Sequence, residues 1–147
     1  MIAKEAPIKL VNFMVLGANF KFIAPKTKKE GQNPPLYFQD YVLDVDFTQR
    51  PIDDDKFHVF AKIAVNDNDS PLPGYQIVVE GAATFSIQSK SDISEDVLNN
   101  LKYFSSINIV IGYLRSTINS LTVSAPFGPY LLPPVDMQDL FKKKGEK

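Results

Sequence analysis

The chain has 147 residues, 44% of them hydrophobic and 22% charged, with 16 Lys and Arg against 17 Asp and Glu. Such a chain fits one globular domain and can bury a core without a disulfide or metal staple. The net charge of -1 gives no global basic field to favour nucleic acid, and with no cysteine, Cys nucleophiles, CxxC redox chemistry and Cys/His metal clusters are excluded.

The opening Met1-Ile-Ala-Lys-Glu-Ala-Pro7 has no apolar signal-peptide core. The stretch Phe13-Met-Val-Leu16 falls far short of the roughly 20 residues that a spanning helix needs. The expectation is a soluble cytoplasmic protein with no membrane insertion.

In chain order, period-2 alternation predicts a first strand over 8–23. One phase holds Ile8, Leu10, Met14, Leu16, Ala18, Phe20 and Phe22, and the other includes Val11, Phe13 and Val15. A strand apolar on both faces predicts a central place or a covering partner, and Gly17 marks a bend or bulge. The stretch 24–35, rich in Pro, Gly and Lys, predicts a loop. The second strand is expected from about Leu36 to Phe47, with Tyr37, Tyr41, Leu43, Val45 and Phe47 inward and Asp40, Asp44 and Asp46 outward. After a turn at 50–55, a third strand places Phe57, Val59, Ala61, Ile63 and Val65 inward, and His58, Lys62 and Asn66 outward. Turn formers over 66–74 lead to a fourth, with Tyr75, Ile77, Val79, Phe85 and Ile87 on one face.

The period then changes. Asp92-Ile-Ser-Glu95 has capping-box spacing ahead of Val97, Leu98 and Leu101. A longer helix over 107–124 carries the stripe Val110, Ile111, Leu114, Ile118 and Leu121. Prolines break the segment 125–134, and Asp136 can cap a last short helix bearing Met137, Leu140 and Phe141. The predicted class is α+β: a four-stranded antiparallel sheet, a meander with a long first crossover loop, followed by helices packed on one face. It forms a single domain over 1–147, with loose ends at 1–7 and 142–147.

Chemistry-bearing residues are sparse. His58, the one histidine, sits in the polar phase of a strand, and no GxSxG, P-loop or GxGxxG occurs. Asp53-Asp-Asp55 and Asp67-Asn-Asp69 read as solvated turns, because the glycine and the downstream glutamate of a calcium loop are missing. Lys26, Lys28, Lys29 and the basic tail lack interleaved aromatics and read as solubilising. The expectation is no enzyme, no cofactor and no metal. The unusual feature is apolar: Phe127, Tyr130, Leu131 and Leu132 lie in the proline-broken segment, where they either close the core or line a groove for another chain. On the first strand, Val11, Phe13 and Val15 compete with the helix stripe (Ile111, Leu114, Ile118) for cover, which predicts a dimer or tetramer built on them.

The C-terminal third carries a resemblance. Asn108-Ile-Val-Ile-Gly-Tyr-Leu-Arg-Ser-Thr-Ile118, then Phe127-Gly-Pro-Tyr-Leu-Leu-Pro-Pro-Val-Asp-Met-Gln-Asp-Leu-Phe141, resembles the end of the SecB protein-export chaperones. Glu80-Gly-Ala-Ala-Thr-Phe-Ser-Ile87 is similar to that family's fourth strand. The resemblance implies an ATP-independent holdase, a dimer of dimers, and a groove for unfolded polypeptides. Its groove positions fall at Leu36, Phe38, Phe127, Tyr130, Leu132, Met137, Leu140 and Phe141. It also implies either export clients or a labile antitoxin as partner. Docking of the export motor is left open, because Val78 stands where the family's fourth strand has an acid and the tail is basic. The alternatives from other classes are an interaction subunit with one fixed partner and a thioesterase-like or small-molecule-binding α+β protein. In the latter, the long helix usually precedes most of the strands.

Overall fold

The structure, a computed structural model, describes residues 1–26, 34–88 and 92–145, with the backbone alone at 34–36. Most of the Pro/Lys loop, including Lys28 and Lys29, lies outside the described residues, as does the side chain of Leu36. Alternating β-branched and aromatic residues form β1 (Ile8–Ile23), β2 (Leu43–Pro51), β3 (Lys56–Val65) and β4 (Gly74–Ile87). They make one antiparallel sheet in the order β1-β4-β3-β2. β2, β3 and β4 form the meander, while the long first connection carries β1 across to pair with β4. Both β1 and β2 are therefore edge strands.

Two bulges resolve the double apolar phase of β1. Register shifts fall between Leu10 and Asn12 and between Val15 and Gly17, and each moves the inward phase by one residue. Ile8 and Leu10 pair with Ile87 and Phe85, Phe13 with Ala83, and Phe20 and Phe22 with Ile77 and Tyr75, all on the core face. Val11 and Leu16 are the extra residues and stay exposed, as do Met14 and Val15.

The second strand starts later than its alternation suggests. Pro34–Asp40 is a 3-10 turn, because consecutive prolines remove two N–H donors and fix the backbone. Tyr41 then turns inward: its hydroxyl donates to the Pro73 carbonyl at 2.8 Å and accepts the Tyr75 N–H at 2.8 Å. Gly74 makes room at φ +110, where a Cβ would lie 2.1 Å from the Tyr41 hydroxyl. Asn66, expected outward, is fully buried at φ 56; its amide donates to the Leu72 and Tyr75 carbonyls and folds the turn.

The helical run comprises α1 (Glu95–Asn99), a π-turn (Asn100–Ser105) and α2 (Ser106–Thr122). Its cap is Ser94, whose Oγ accepts the Val97 N–H at 3.4 Å, rather than Asp92. The π-turn leaves the Lys102 carbonyl to Gln49 of β2 and to Ser106 Oγ, so a strand side chain pins the helix. α2 crosses the sheet and buries Ile107, Val110, Ile111, Leu114 and Ile118 against it. Each such side chain contributes on the order of 1.5–3 kcal/mol. Gly81 allows the close approach: a Cβ there would meet Phe13 at 2.9 Å and Leu114 at 3.0 Å. α3 (Met137–Gly145) closes the chain, so residues 142–145 of the expected loose end are helical.

Candidate functional site: a groove beside the β2 edge

At one end of the sheet, aromatic residues from four segments converge. Tyr75 lies edge-on to Phe20, with centroids 5.2 Å apart, and close to Phe38 at 5.3 Å, and Phe38 meets Tyr130 edge-on at 5.3 Å. Phe127 packs between Phe22 (5.4 Å) and Tyr75 (6.0 Å). Burial, and then the neighbouring Tyr41, push the Tyr130 phenol up to about 12. Burial likewise raises Tyr41 and Tyr75.

The proline-broken segment is an extended strap held by side chains. The Tyr75 hydroxyl accepts the Phe127 N–H and donates to the Gly128 carbonyl, both at 2.7 Å. Thr122 Oγ1 accepts the Tyr130 N–H at 2.8 Å, and Arg115 Nε donates to the Leu132 carbonyl at 3.2 Å. The strap alternates like a strand: Tyr130 and Leu132 point inward at 2% and 3% exposure, and Leu131 between them is 69% exposed.

Between this strap and the segment 38–43 that leads into β2 opens an apolar groove. The groove, about 630 Å3, is lined by Phe38, Tyr41, Leu43, Phe127, Leu131 and Pro133, among others. Leu43 also borders a second cavity, about 350 Å3, between β2 and α3, where Val45, Phe47, Val135 and Leu140 alternate with acidic and lysine side chains.

The groove positions implied by the resemblance divide in this frame. Phe38 and Phe127 line the groove and Leu140 the second cavity, while Tyr130 forms the groove's buried floor. Leu132 and Met137 are spent inside the core. Phe141 is half-buried between Phe47 (5.1 Å) and Phe104 (5.7 Å). Tyr41 and Leu43 carry no groove expectation from the sequence, and Leu131, expected with its neighbours either in the core or on a groove wall, is the outward residue of the alternating strap. Of the positions expected between copies, Ile111, Leu114 and Ile118 are at most 1% exposed under their own sheet. Phe13 turns inward onto Tyr113, with centroids 4.9 Å apart. Val11 and Val15 remain exposed.

The polar candidates take structural roles. Asp53 Oδ1 accepts the N–H groups of Asp55 and Lys56 and shapes the β2–β3 turn. His58 Nδ1 lies 3.0 Å from Thr84 Oγ1 on the sheet face away from α2, beside Phe60 and Arg50. Among the described residues no three His, Cys, Asp or Glu side chains cluster to hold a metal, and no helix is long and apolar enough to cross a membrane.

A four-stranded antiparallel sheet backed by one long helix, with a groove at the entry to an edge strand, defines an α+β scaffold. Comparison with known proteins gives the family. The model of the preprotein translocase subunit SecB matches residues 21–147. The protein-export protein SecB of Chromohalobacter salexigens is 25% identical over 125 residues, across 80% of this chain and 74% of that one. The protein of the same description from Pseudomonas syringae pv. tomato is 25% identical over 130 residues, across 86% and 74%. Among solved structures, the fold matches the Mycobacterium tuberculosis SecB-like chaperone in complex with a ChAD peptide from the HigA1 antitoxin. That match has a TM-score of 0.53 at 18% identity, over 88% of this chain and 91% of that one. The chain belongs to the SecB family, whose members are chaperones rather than enzymes.

Proposed function

We propose that the protein is an ATP-independent holdase that keeps polypeptides unfolded in the groove beside β2. The observation that carries this reading is the pairing of an apolar groove, lined by Phe38, Leu43, Phe127 and Leu131, with an edge strand. Unfolded clients expose apolar side chains and unpaired backbone, and such a groove offers partners for both. The strap is fixed by Tyr75, Thr122 and Arg115, so little entropy is lost there on binding. Export clients and an antitoxin partner would use the same groove.

The rest of the assignment follows from exposed surface. Val11 (54%), Met14 (49%), Val15 (44%) and Leu16 (55%) lie along the edge strand β1, and a second copy covering them in the cytoplasm would make the dimer from which a tetramer is built. On the sheet face away from α2, Val78 stands where the family's motor-docking acid is expected, and two of the acids that face does carry, Glu80 and Asp46, meet Lys62 and Lys144, so docking of the export motor is weak or absent. The decisive experiment is suppression of aggregation of a denatured client without nucleotide. Protection by the wild-type chain that is lost in Leu131→Asp, with melting unchanged, supports the reading. Aggregation as fast with the wild-type chain as without it refutes it.

A further inference from the structure

The second cavity, which shares Leu43 with the groove, is closed by the chain's own last helix. α3 carries Phe141 and Lys144 one turn apart, and both reach to β2. The Phe141 ring enters a slot between Phe47 of β2 and Phe104 of the π-turn. Lys144 Nζ meets Asp46 Oδ1 at 2.6 Å and stands 5.3 Å above the Phe47 ring. The same Asp46 oxygen accepts the Phe47 N–H at 2.9 Å, so edge backbone, carboxylate and tail form one connected contact. These attachments are modest: the Lys144 and Asp46 side chains are 35% and 58% exposed, a setting in which water and salt weaken an ion pair. Met137 is the one buried side chain of the helix, and it sits at the end where Pro133 and Pro134 join the helix to the strap. The helix is thus anchored at its start and lightly clipped at its far end.

We propose that α3 is a self-ligand of the groove: Phe141 and Lys144 occupy a slot made by Phe47, Phe104 and Asp46, and an unfolded client displaces them to gain the full length of the β2 edge. This rests on the holdase reading and adds its regulation. Phe141 and Lys144 then compete with clients instead of binding them, which reverses the sign of their mutational effect. Salt that weakens the Lys144–Asp46 pair opens the groove, so client binding strengthens as salt rises to moderate levels.

The test compares affinity for a reduced, alkylated and permanently unfolded protein across three forms. Phe141→Ala with Lys144→Ala, in the full chain, should bind at least about fivefold more tightly than wild type. Lys144→Ala alone, at a part-exposed site where folding is safe, should shift the same way by less. Because the chain contains no cysteine, Asp46→Cys with Lys144→Cys can be joined by a short bismaleimide; the joined form should bind more weakly than the same protein before joining. Equal or weaker binding by the alanine variants, or binding unaffected by joining, overturns the self-ligand and leaves the holdase reading standing. Absence of binding in every form, wild type included, overturns both.

Discussion

At residue scale, Tyr130, Leu131 and Leu132 are chemically close and functionally opposed, because the strap alternates. Tyr130→Asp or Leu132→Asp would place a carboxylate in the core, where an unpaired charge is costly. We expect a large fall in melting temperature for either, and for Leu132→Asp, at a position away from the groove, client binding per folded molecule little changed. Leu131→Asp adds a charge at an exposed position on the groove wall and should weaken client binding by on the order of 1–3 kcal/mol while melting stays within about a degree. Calorimetry and client titration on the same preparations separate the two. The tyrosine knot adds a pH dependence. The Tyr130 phenol is held at about 12 in the folded state, above its ordinary value of about 10, so the folded chain keeps a proton that the unfolded chain releases. That contribution to stability is complete below pH about 10 and is lost as pH rises towards about 12. Melting temperature should fall across that window, and Tyr130→Phe should flatten the fall. A Tyr130→Phe curve parallel to wild type would place the titration elsewhere.

At the scale of elements, the strap takes its position from side chains of β4 and α2, with no strand ladder of its own. Removing one hydroxyl therefore has a defined cost. Tyr75→Phe keeps the ring but leaves the Phe127 N–H and the Gly128 carbonyl without that partner, a loss of about 1–3 kcal/mol. The urea midpoint should fall at unchanged slope, and client affinity should fall with it as the groove wall loosens. An unchanged midpoint would show that the strap is held by packing alone. The β1 bulges act at the same scale. By stepping the inward phase twice, they let one strand supply Ile8, Leu10, Phe13, Phe20 and Phe22 to the core and still leave Met14 and Leu16 outside.

For the whole molecule, both open edges have a proposed use: β2 borders the client groove, and β1 carries the apolar residues available to a second copy. Light scattering at micromolar concentration should report a dimer or tetramer, and Met14→Asp with Leu16→Asp should reduce the mass to that of the 16.5 kDa chain. A monomeric wild type would remove this part of the assignment. Binding of the export motor should be weak at physiological salt. Tight, salt-sensitive docking on the face that carries Val78 would contradict it.

The sequence by itself determined the class and order of the elements. Alternation marked β3 and β4 and their inward residues, helical spacing marked α2, and the missing catalytic motifs turned attention to apolar surface. The motifs around Arg115 and Pro133-Pro134 marked the family, and that resemblance is the source of Phe38, Phe127 and Leu140 as candidate groove positions, which line the two cavities. Tertiary structure decided what covers each apolar face. Periodicity states which residues share a side, but not whether that side meets the chain's own sheet, a second copy or a client. Hence Ile111, Leu114 and Ile118, expected between copies, lie in the chain's own core, and Asn66, expected at the surface, lies inside a turn. It also decided the phase of β1 and the late start of β2. A bulge inserts one residue, and its effect on register depends on a partner strand more than 60 residues away in β4. A proline pair removes two hydrogen-bond donors, and the start of β2 depends on its pairing with β3.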